Sequence, residues 1–209
     1  SEATYHAILQ SDAQTATFCL AKNPLFKAKV SLPGKHNVAN ALVAAALAHC
    51  AGLPPSTIAK GMEHFQGVHR RFDVHLDSQT KVFVDDYAHH PTELQALIDA
   101  VKARWPHRHI TLVFQPHLYS RTRDFMAEFA QALGSVDQVW LLPIYPAREQ
   151  PIPGVDAQWL FENISGNQKK LVSSKSIFDS LKACPVDVLV TAGAGDIDRL
   201  VPDLLQHLQ

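Results

Sequence analysis

The sequence predicts an α/β fold whose larger part is a mainly parallel sheet with helices on both faces. Three observations predict it. From about residue 80 onward, short apolar runs such as "KVFVDDY", "HITLVF", "QVWLLPI" and "VDVLVTAG" alternate with longer stretches of helical composition, the pattern of strands joined by crossover helices. The runs are apolar on both faces, as strands covered on both sides are. Each is followed by a polar or glycine-containing cluster, and ligands of such sheets bind beyond the carboxyl ends of the strands.

Taken in order, residues 1 to about 31 alternate weakly in "YHAILQ", "ATFCLA" and "FKAKVSL", which reads as antiparallel strands separated by the turns "SDAQT" and "KNP". From Asn37 the texture changes to "NVANALVAAALAHCAGL", a buried helix stopped by Gly52 and Pro54-Pro55. Ser56 is expected to cap a second helix through "TIAKGMEHF". Composition shifts again after Gly67, which places a domain boundary near residues 65 to 72. Beyond it come strand "KVFVDDY", helix "PTELQALIDAVKARW", strand "HITLVF", helix "RDFMAEFAQAL" and strand "QVWLLPI". A helix near residues 156 to 164, strand "KKLV", helix "KSIFDSLKAC", strand "VDVLVTAG" and helix "DIDRLVPDLLQHL" complete the chain.

The bulk numbers exclude several classes. The chain has 209 residues, 46% of them hydrophobic and 19% charged, with a formal net charge of -1. That balance supports a buried core and gives no bulk attraction to nucleic acid or to an anionic membrane. No apolar run approaches the ~18 residues of a membrane span, and no signal peptide opens the sequence. Cys19, Cys50 and Cys184 are scattered and odd in number, which fits a reduced cytoplasmic setting. Residue 1 is serine, so the chain is expected to be a fragment or a processed form.

Four clusters follow strands and should converge on one rim: "DDYAHH", "QPHLYSR", "YPAREQ" and "GAGD". "VDDYAHHPTE" places two carboxylates, a phenol and two imidazoles before Pro91, either a solvated corner or the lip of a site. In "FQPHLYSRTRD", His117, Tyr119, Arg121 and Arg123 crowd a helix start near Ser120. Cations there oppose the helix dipole, so an anionic ligand is the expected explanation. "TAGAGD" suits either close backbone approach with an anion at the helix N-terminus or a glycine turn capped by Asp196. "GKHNVANA" is no P-loop, because His36 follows Lys35 where Ser or Thr is required. Asn37 and Asn40 lie three apart on one helical face and offer the donor and acceptor an adenine edge needs, or else serve as a cap and a satisfied amide. Arg70 and Arg71 in "GVHRRFD" could grip phosphate or form an interdomain salt bridge. "HRH" (residues 107–109) reads as a solvated strand start rather than a metal site, and adjacent His89 and His90 should point apart.

Together "GKHNVANALVAA", "FQGVHRRFD", "VDDYAHHPTE", "FQPHLYSRTRDF", "YPAREQPIPGV" and "GAGDID" resemble the Mur ligases of peptidoglycan synthesis in order and spacing across most of residues 30 to 205. The nearest resemblance is to the member that joins L-alanine to UDP-N-acetylmuramate. It implies that residues 1–66 are the tail of a central ATP-binding domain, a partial α/β piece with antiparallel strands and two helices. Residues 67–209 would be an entire Rossmann-like C-terminal domain. The UDP-binding domain, the P-loop and the magnesium ligands would lie in missing portions of the same protein, and this piece alone would be inactive.

Residue by residue, the resemblance implies a nucleotide-binding group of His36, Asn37, Asn40, Arg71 and Asp86, with Asp86 on the ribose. Tyr87, His89, His117 and Arg121 would bind substrate, at the alanine and muramate end. No catalytic nucleophile and no metal ligand is expected in this chain. ATP, L-alanine and UDP-N-acetylmuramate are the implied partners, with Mg2+ in the complete enzyme, and neither nucleic acid nor membrane. The implied reaction passes the γ-phosphoryl group of ATP to the muramoyl carboxylate before the amine attacks. Two departures stand out: Leu118 where some relatives carry arginine, and Asp196 where asparagine is common. The rival readings are a sibling ligase that attaches a recycled murein tripeptide, and a non-catalytic nucleotide- or sugar-binding module.

Overall fold

The computed structural model describes residues 4–10, 14–30, 34–166 and 168–209, with Lys35 and His36 described by backbone only. It divides into two compact units, Ser1–Val68 and His69–Gln209.

In the first unit, β1 (Tyr5–Leu9), β2 (Thr15–Leu20) and β3 (Asn23–Lys29) form an antiparallel sheet in that order. The alternation in "TATFCL" buries Ala16 and Phe18, the one-faced pattern of a sheet covered on one side. Helices α1 (Lys35–Cys50) and α2 (Pro55–His64) follow. Val38 and Ala45 of α1 and Ile58 of α2 join Ala16, Phe18 and Ala28 in one cluster. The start of α2 differs from expectation. Pro54 occupies the cap and Pro55 the first helical position, so Ser56 lies inside the helix. A proline loses nothing in that first turn, where its missing N–H has no partner anyway. Of the predicted turn "SDAQT", Ser11 to Ala13 lie outside the described residues.

The second unit contains, in order, β4 (Asp73–Asp77), β5 (Val82–Asp86), α3 (Pro91–Arg104), β6 (Ile110–Phe114), α4 (Tyr119–Asp124) and α5 (Met126–Leu133). There follow β7 (Gln138–Leu141), α6 (Ala157–Asn163), β8 (Gln168–Leu171), α7 (Ser176–Ala183), β9 (Val188–Ala192), a 3-10 turn (Asp196–Leu200) and α8 (Val201–Leu208). The sheet order is β4-β5-β9-β6-β7-β8. Every pairing is parallel except β4 with β5.

Successive strand residues feed opposite layers. Val82 and Val84, Leu112 and Phe114, Val139 and Leu141, and Val188 and Val190 pack with Leu97, Phe129 and Leu160 of α3, α5 and α6. Phe83, Val113, Trp140 and Leu189 pack with Ile177 and Leu181 of α7 and Leu204 of α8. The predicted mainly parallel, Rossmann-like sheet with helices on both faces is thus present.

Two local differences have physical causes. The edge strand β4 was not expected from the sequence. It is short, charged at Asp73 and Asp77, and bulged between Val74 and Leu76, which suits an exposed edge. The predicted helix over "RDFMAEFAQAL" begins earlier, at Tyr119, and breaks at Phe125, whose φ of -119° lies outside the helical range.

Candidate functional site

The expected rim forms at the carboxyl ends of β5, β6, β7 and β9. Backbone bonds join its loops: Gly193 N–H donates to the Asp86 carbonyl at 3.2 Å, and Gln115 N–H to the Ala192 carbonyl at 3.0 Å. Tyr145 N–H donates to Pro116, and Leu118 N–H to Tyr145, at 2.8 and 2.9 Å. The β6 and β7 loops thereby continue their parallel pairing past the strands, with a bridge between His117 and Tyr145.

"DDYAHH" resolves into a residue-by-residue division of labour. Asp85 is buried. It accepts from Arg70 Nε at 2.9 Å and from the Thr191 hydroxyl at 2.7 Å. Asp86 accepts from the backbone N–H groups of Phe72 and Ala88, each at 2.7 Å. It therefore clamps the 70–72 segment to the end of β5. Tyr87 projects from the rim. His89 lies edge-on to it, with ring centroids 5.2 Å apart, and 5.9 Å from His117. His90 turns away, as expected: it caps α3 by accepting from Thr92 N–H, with Glu93 completing a capping box, and packs on Phe125.

Burial raises the pKa of Asp86, against the lowering effect of its two backbone donors and of Arg71. The sign follows from linkage. The stabilisation associated with protonated Asp86 is complete below the ordinary carboxylate range and is lost as pH rises through the raised pKa. Asp86→Asn should flatten that decline. Urea titrations of both proteins from pH 4 to pH 8 measure it, and parallel pH profiles would remove Asp86 as its source.

The two arginines of "HRRFD" differ in burial, and the ion pair that Arg70 makes lies within the second unit and not between domains. Arg70 is buried, and besides Asp85 it donates through Nη2 to the Gly193 carbonyl at 2.6 Å. Arg71 has a side chain 48% exposed, with Glu93 3.9 Å away, and its guanidinium lies 5.7 Å from the Tyr87 ring centre. Arg70 is the structural cation and Arg71 the available one. The backbone around them is strained, with φ of 60° at Arg70 and 51° at Phe72. Such angles are costly for bulky residues and persist only where the surroundings impose them. The bonds to Asp85, Asp86 and Asp73 supply that constraint.

On the β6 side, His117 stacks on Tyr145 with centroids 5.7 Å apart, and Arg121 Nη1 donates to His117 Nδ1 at 3.3 Å. An arginine only donates, so this contact assigns His117 as neutral with its proton on Nε2. Burial lowers the His117 pKa first, helped by Arg121 and His89 and opposed by Glu149.

Beside the cations at this helix start, for which the sequence suggested an anionic ligand, lies an anion of the chain itself. Glu149, from "YPAREQ", accepts from Ser120 N–H at 2.9 Å and from the Ser120 hydroxyl. These bonds, with a contribution from Arg121, hold its carboxyl below the usual range. The six-residue α4 is also so short that Arg121 falls in its last turn as well as its first. The sequence reading missed Glu149 as an individual residue, although it lies in a cluster assigned to the rim.

"TAGAGD" settles as a close-approach loop. Gly195 caps the 3-10 turn, and Asp196 accepts from Gln115 Nε2 at 2.8 Å instead of capping. In the first unit, α1 starts from Gly34 with φ of 104°. Asn37 is therefore inside the helix and not its cap, and Asn40 is exposed one turn on. The His36 side chain lies outside the described residues. The structure thus brings Asp86, Tyr87, His89, His117, Arg121 and Arg71 onto one rim of the second unit, and Asn37 and Asn40 onto one helix of the first. His107 and His109 lie exposed before β6. Among the described residues, no group of three or more His, Cys, Asp or Glu side chains could hold a metal ion.

A family model for the Mur ligase glutamate ligase domain matches residues 70–197, which include the whole rim of the second unit. The chain belongs to the Mur ligase family. Among curated Mur ligases it is 44% identical over 180 residues to the UDP-N-acetylmuramate–L-alanine ligase of Flavobacterium johnsoniae, covering 86% of this chain and 40% of that protein. It is 49% identical over 173 residues to the ligase of the same name from Cytophaga hutchinsonii, covering 83% and 37%. The chain therefore spans about 40% of the length of these relatives. Among solved structures, the UDP-N-acetylmuramate–alanine ligase of Thermotoga maritima superposes with a TM-score of 0.79 at 27% identity, covering 97% of this chain and 45% of that one. A murein peptide ligase from Psychrobacter arcticus shares the fold at a TM-score of 0.69 and 24% identity, covering 99% and 44%.

Proposed function

We propose that this chain is part of an ATP-dependent ligase that joins L-alanine to UDP-N-acetylmuramate in peptidoglycan synthesis. On this reading, residues 1–66 are the tail of the ATP-binding domain and residues 67–209 the C-terminal domain. The observation that carries the proposal is the rim of Tyr87, His89, His117 and Arg121. It offers a phenol, two imidazoles and one guanidinium as successive neighbours, Tyr87 to His89 to His117 to Arg121, a set suited to a small zwitterion and a sugar carboxylate. The alanine-ligase relatives at 44–49% identity favour alanine over a tripeptide.

The proposed nucleotide-binding residues are His36, Asn37 and Asn40 in the first unit and Arg71 and Asp86 in the second. The residues present fit a nucleotide chemically: exposed Asn40 supplies an amide, and exposed Arg71 a planar fork for phosphate. Asp86 would meet the ribose while it also holds the segment that carries Arg71. ATP supplies the activation of the carboxylate when bound. Among the described residues no group of three or more His, Cys, Asp or Glu side chains fits its magnesium ion, and we place those ligands elsewhere in the complete enzyme.

The role of the rim is positioning. Neutral His117 presents its Nε2 proton, and Arg121 orients a carboxylate so that the amine faces the activated carbon. No described helix is long and apolar enough to cross a membrane, and the cysteines are free thiols. Both suit a cytoplasmic setting, where ATP is available.

Arg121→Lys in the complete enzyme tests the assignment. It keeps the charge and loses the two-pronged geometry. Apparent alanine affinity should fall at least about tenfold, roughly 1.4 kcal/mol, while ATP affinity barely moves. Steady-state titration of both substrates measures this. Loss of ATP affinity with an unchanged alanine response would put Arg121 on the nucleotide side. Turnover with a murein tripeptide in place of alanine would favour the sibling ligase.

A further inference from the structure

We propose that Glu149 is the positioning residue of the rim, fixing the first turn of α4 and thereby the side chains of His117 and Arg121 that the proposed ligase uses. This rests on the ligase reading for its purpose, although the geometry stands without it.

Glu149 lies 29 residues beyond Ser120 in sequence and belongs to the β7 loop, yet it bonds both the backbone N–H and the hydroxyl of Ser120. Two features bring it there. The β6 and β7 loops are joined at Pro116, Leu118 and Tyr145 by backbone bonds. The chain then reverses through Pro146, whose carbonyl accepts from Glu149 N–H at 2.9 Å, with Ala147 at a left-handed φ of 51°. On the receiving side, Leu118 has a φ of 74° and no side-chain cap bond protects the start of α4. Glu149 supplies what the sequence before α4 lacks, an acceptor for an unpaired N–H at the helix start. Its negative charge also offsets Arg121 one residue later.

The groups around His117 are Arg121 on α4, His89 beyond β5, Tyr145 stacked from the β7 loop, and Glu149. Glu149 is the one anion in that set. At His117 the charge of Glu149 therefore acts against that of Arg121.

The test uses three variants. Glu149→Gln keeps an oxygen for Ser120 N–H and removes the charge. Glu149→Ala removes both, and Glu149→Asp keeps the charge on a shorter arm. In the 209-residue chain, NMR titration should show the His117 midpoint falling in Glu149→Gln and Glu149→Ala and returning toward wild type in Glu149→Asp. Amide exchange at Ser120 should accelerate about tenfold or more in Glu149→Ala and much less in Glu149→Gln. In the complete enzyme, KM for alanine should rise several-fold in Glu149→Gln with kcat less affected. An unchanged His117 titration together with unchanged Ser120 exchange would overturn the proposal. Shifts in both, with alanine kinetics untouched, would overturn the role in alanine binding and leave the positioning geometry in place. If Glu149→Ala does not fold, the Gln and Asp variants decide alone.

Discussion

Replacing Arg70 by alanine is expected to lower the stability of the second unit by about 3–5 kcal/mol, the range for breaking a buried ion pair from one side. The Arg70 side chain is 9% exposed and that of Asp85 1%. Removing the guanidinium would leave Asp85 with the Thr191 hydroxyl as its remaining partner, and would free the Gly193 carbonyl and the strained 70–72 backbone at once. Urea denaturation of the 209-residue chain measures the loss. A second variant separates the pair from its surroundings. Arg70→Met combined with Asp85→Asn should recover much of the stability, because no uncompensated charge then stays buried. A cost below about 1 kcal/mol for Arg70→Ala would mean that water reaches Asp85.

The second large effect is expected at Gly193, where alanine should cost about 2–5 kcal/mol from backbone strain and overpacking together. Its φ is 148°, and an added Cβ would lie 2.7 Å from the Gln115 carbonyl oxygen. That oxygen belongs to the backbone just beyond β6 and cannot swing aside. Gly154 is the internal comparison, with φ of 78° and open space around it. Gly154→Ala should therefore show the strain alone, roughly 1 kcal/mol. Equal midpoint shifts for the two variants would mean that the loop after β9 yields.

The parts of the fold that were legible in the sequence are those written in local pattern. Phe83 between Val82 and Val84, or Trp140 between Val139 and Leu141, puts an apolar side chain into each layer, and that is visible without coordinates. So is the placement of "DDYAHH" and "QPHLYSR" on one rim, because strand direction alone determines it. What stayed hidden depends on partners far apart in sequence. Asp85 and Asp86 look alike in a row of letters, yet one meets Arg70 and Thr191 and the other meets backbone. The same holds for Arg70 and Arg71. Ser120 and Glu149 are each ordinary until the β6 and β7 loops join. β4 left a faint trace, with Phe72, Val74 and Leu76 alternating with polar residues, but its charges and bulge break the regularity that would have distinguished it from a loop.

The position of β9 also sets the order in which the molecule can be made. It is the last strand of the chain, yet it lies between β5 and β6, with Val188 opposite both Val82 and Ile110. During synthesis, β5 and β6 leave the ribosome long before the strand that separates them. The nascent chain must therefore hold a gap in the centre of its sheet, or pair β5 with β6 and later part them. Both the buried Asp85 and the rim depend on that late insertion, because Thr191 and Gly193 arrive with it. Long-range parallel pairing of this kind is slow and leaves apolar strand edges open meanwhile. A nascent chain stopped short of Ala192 would be a target for chaperones and a source of aggregation, not a smaller version of the same domain.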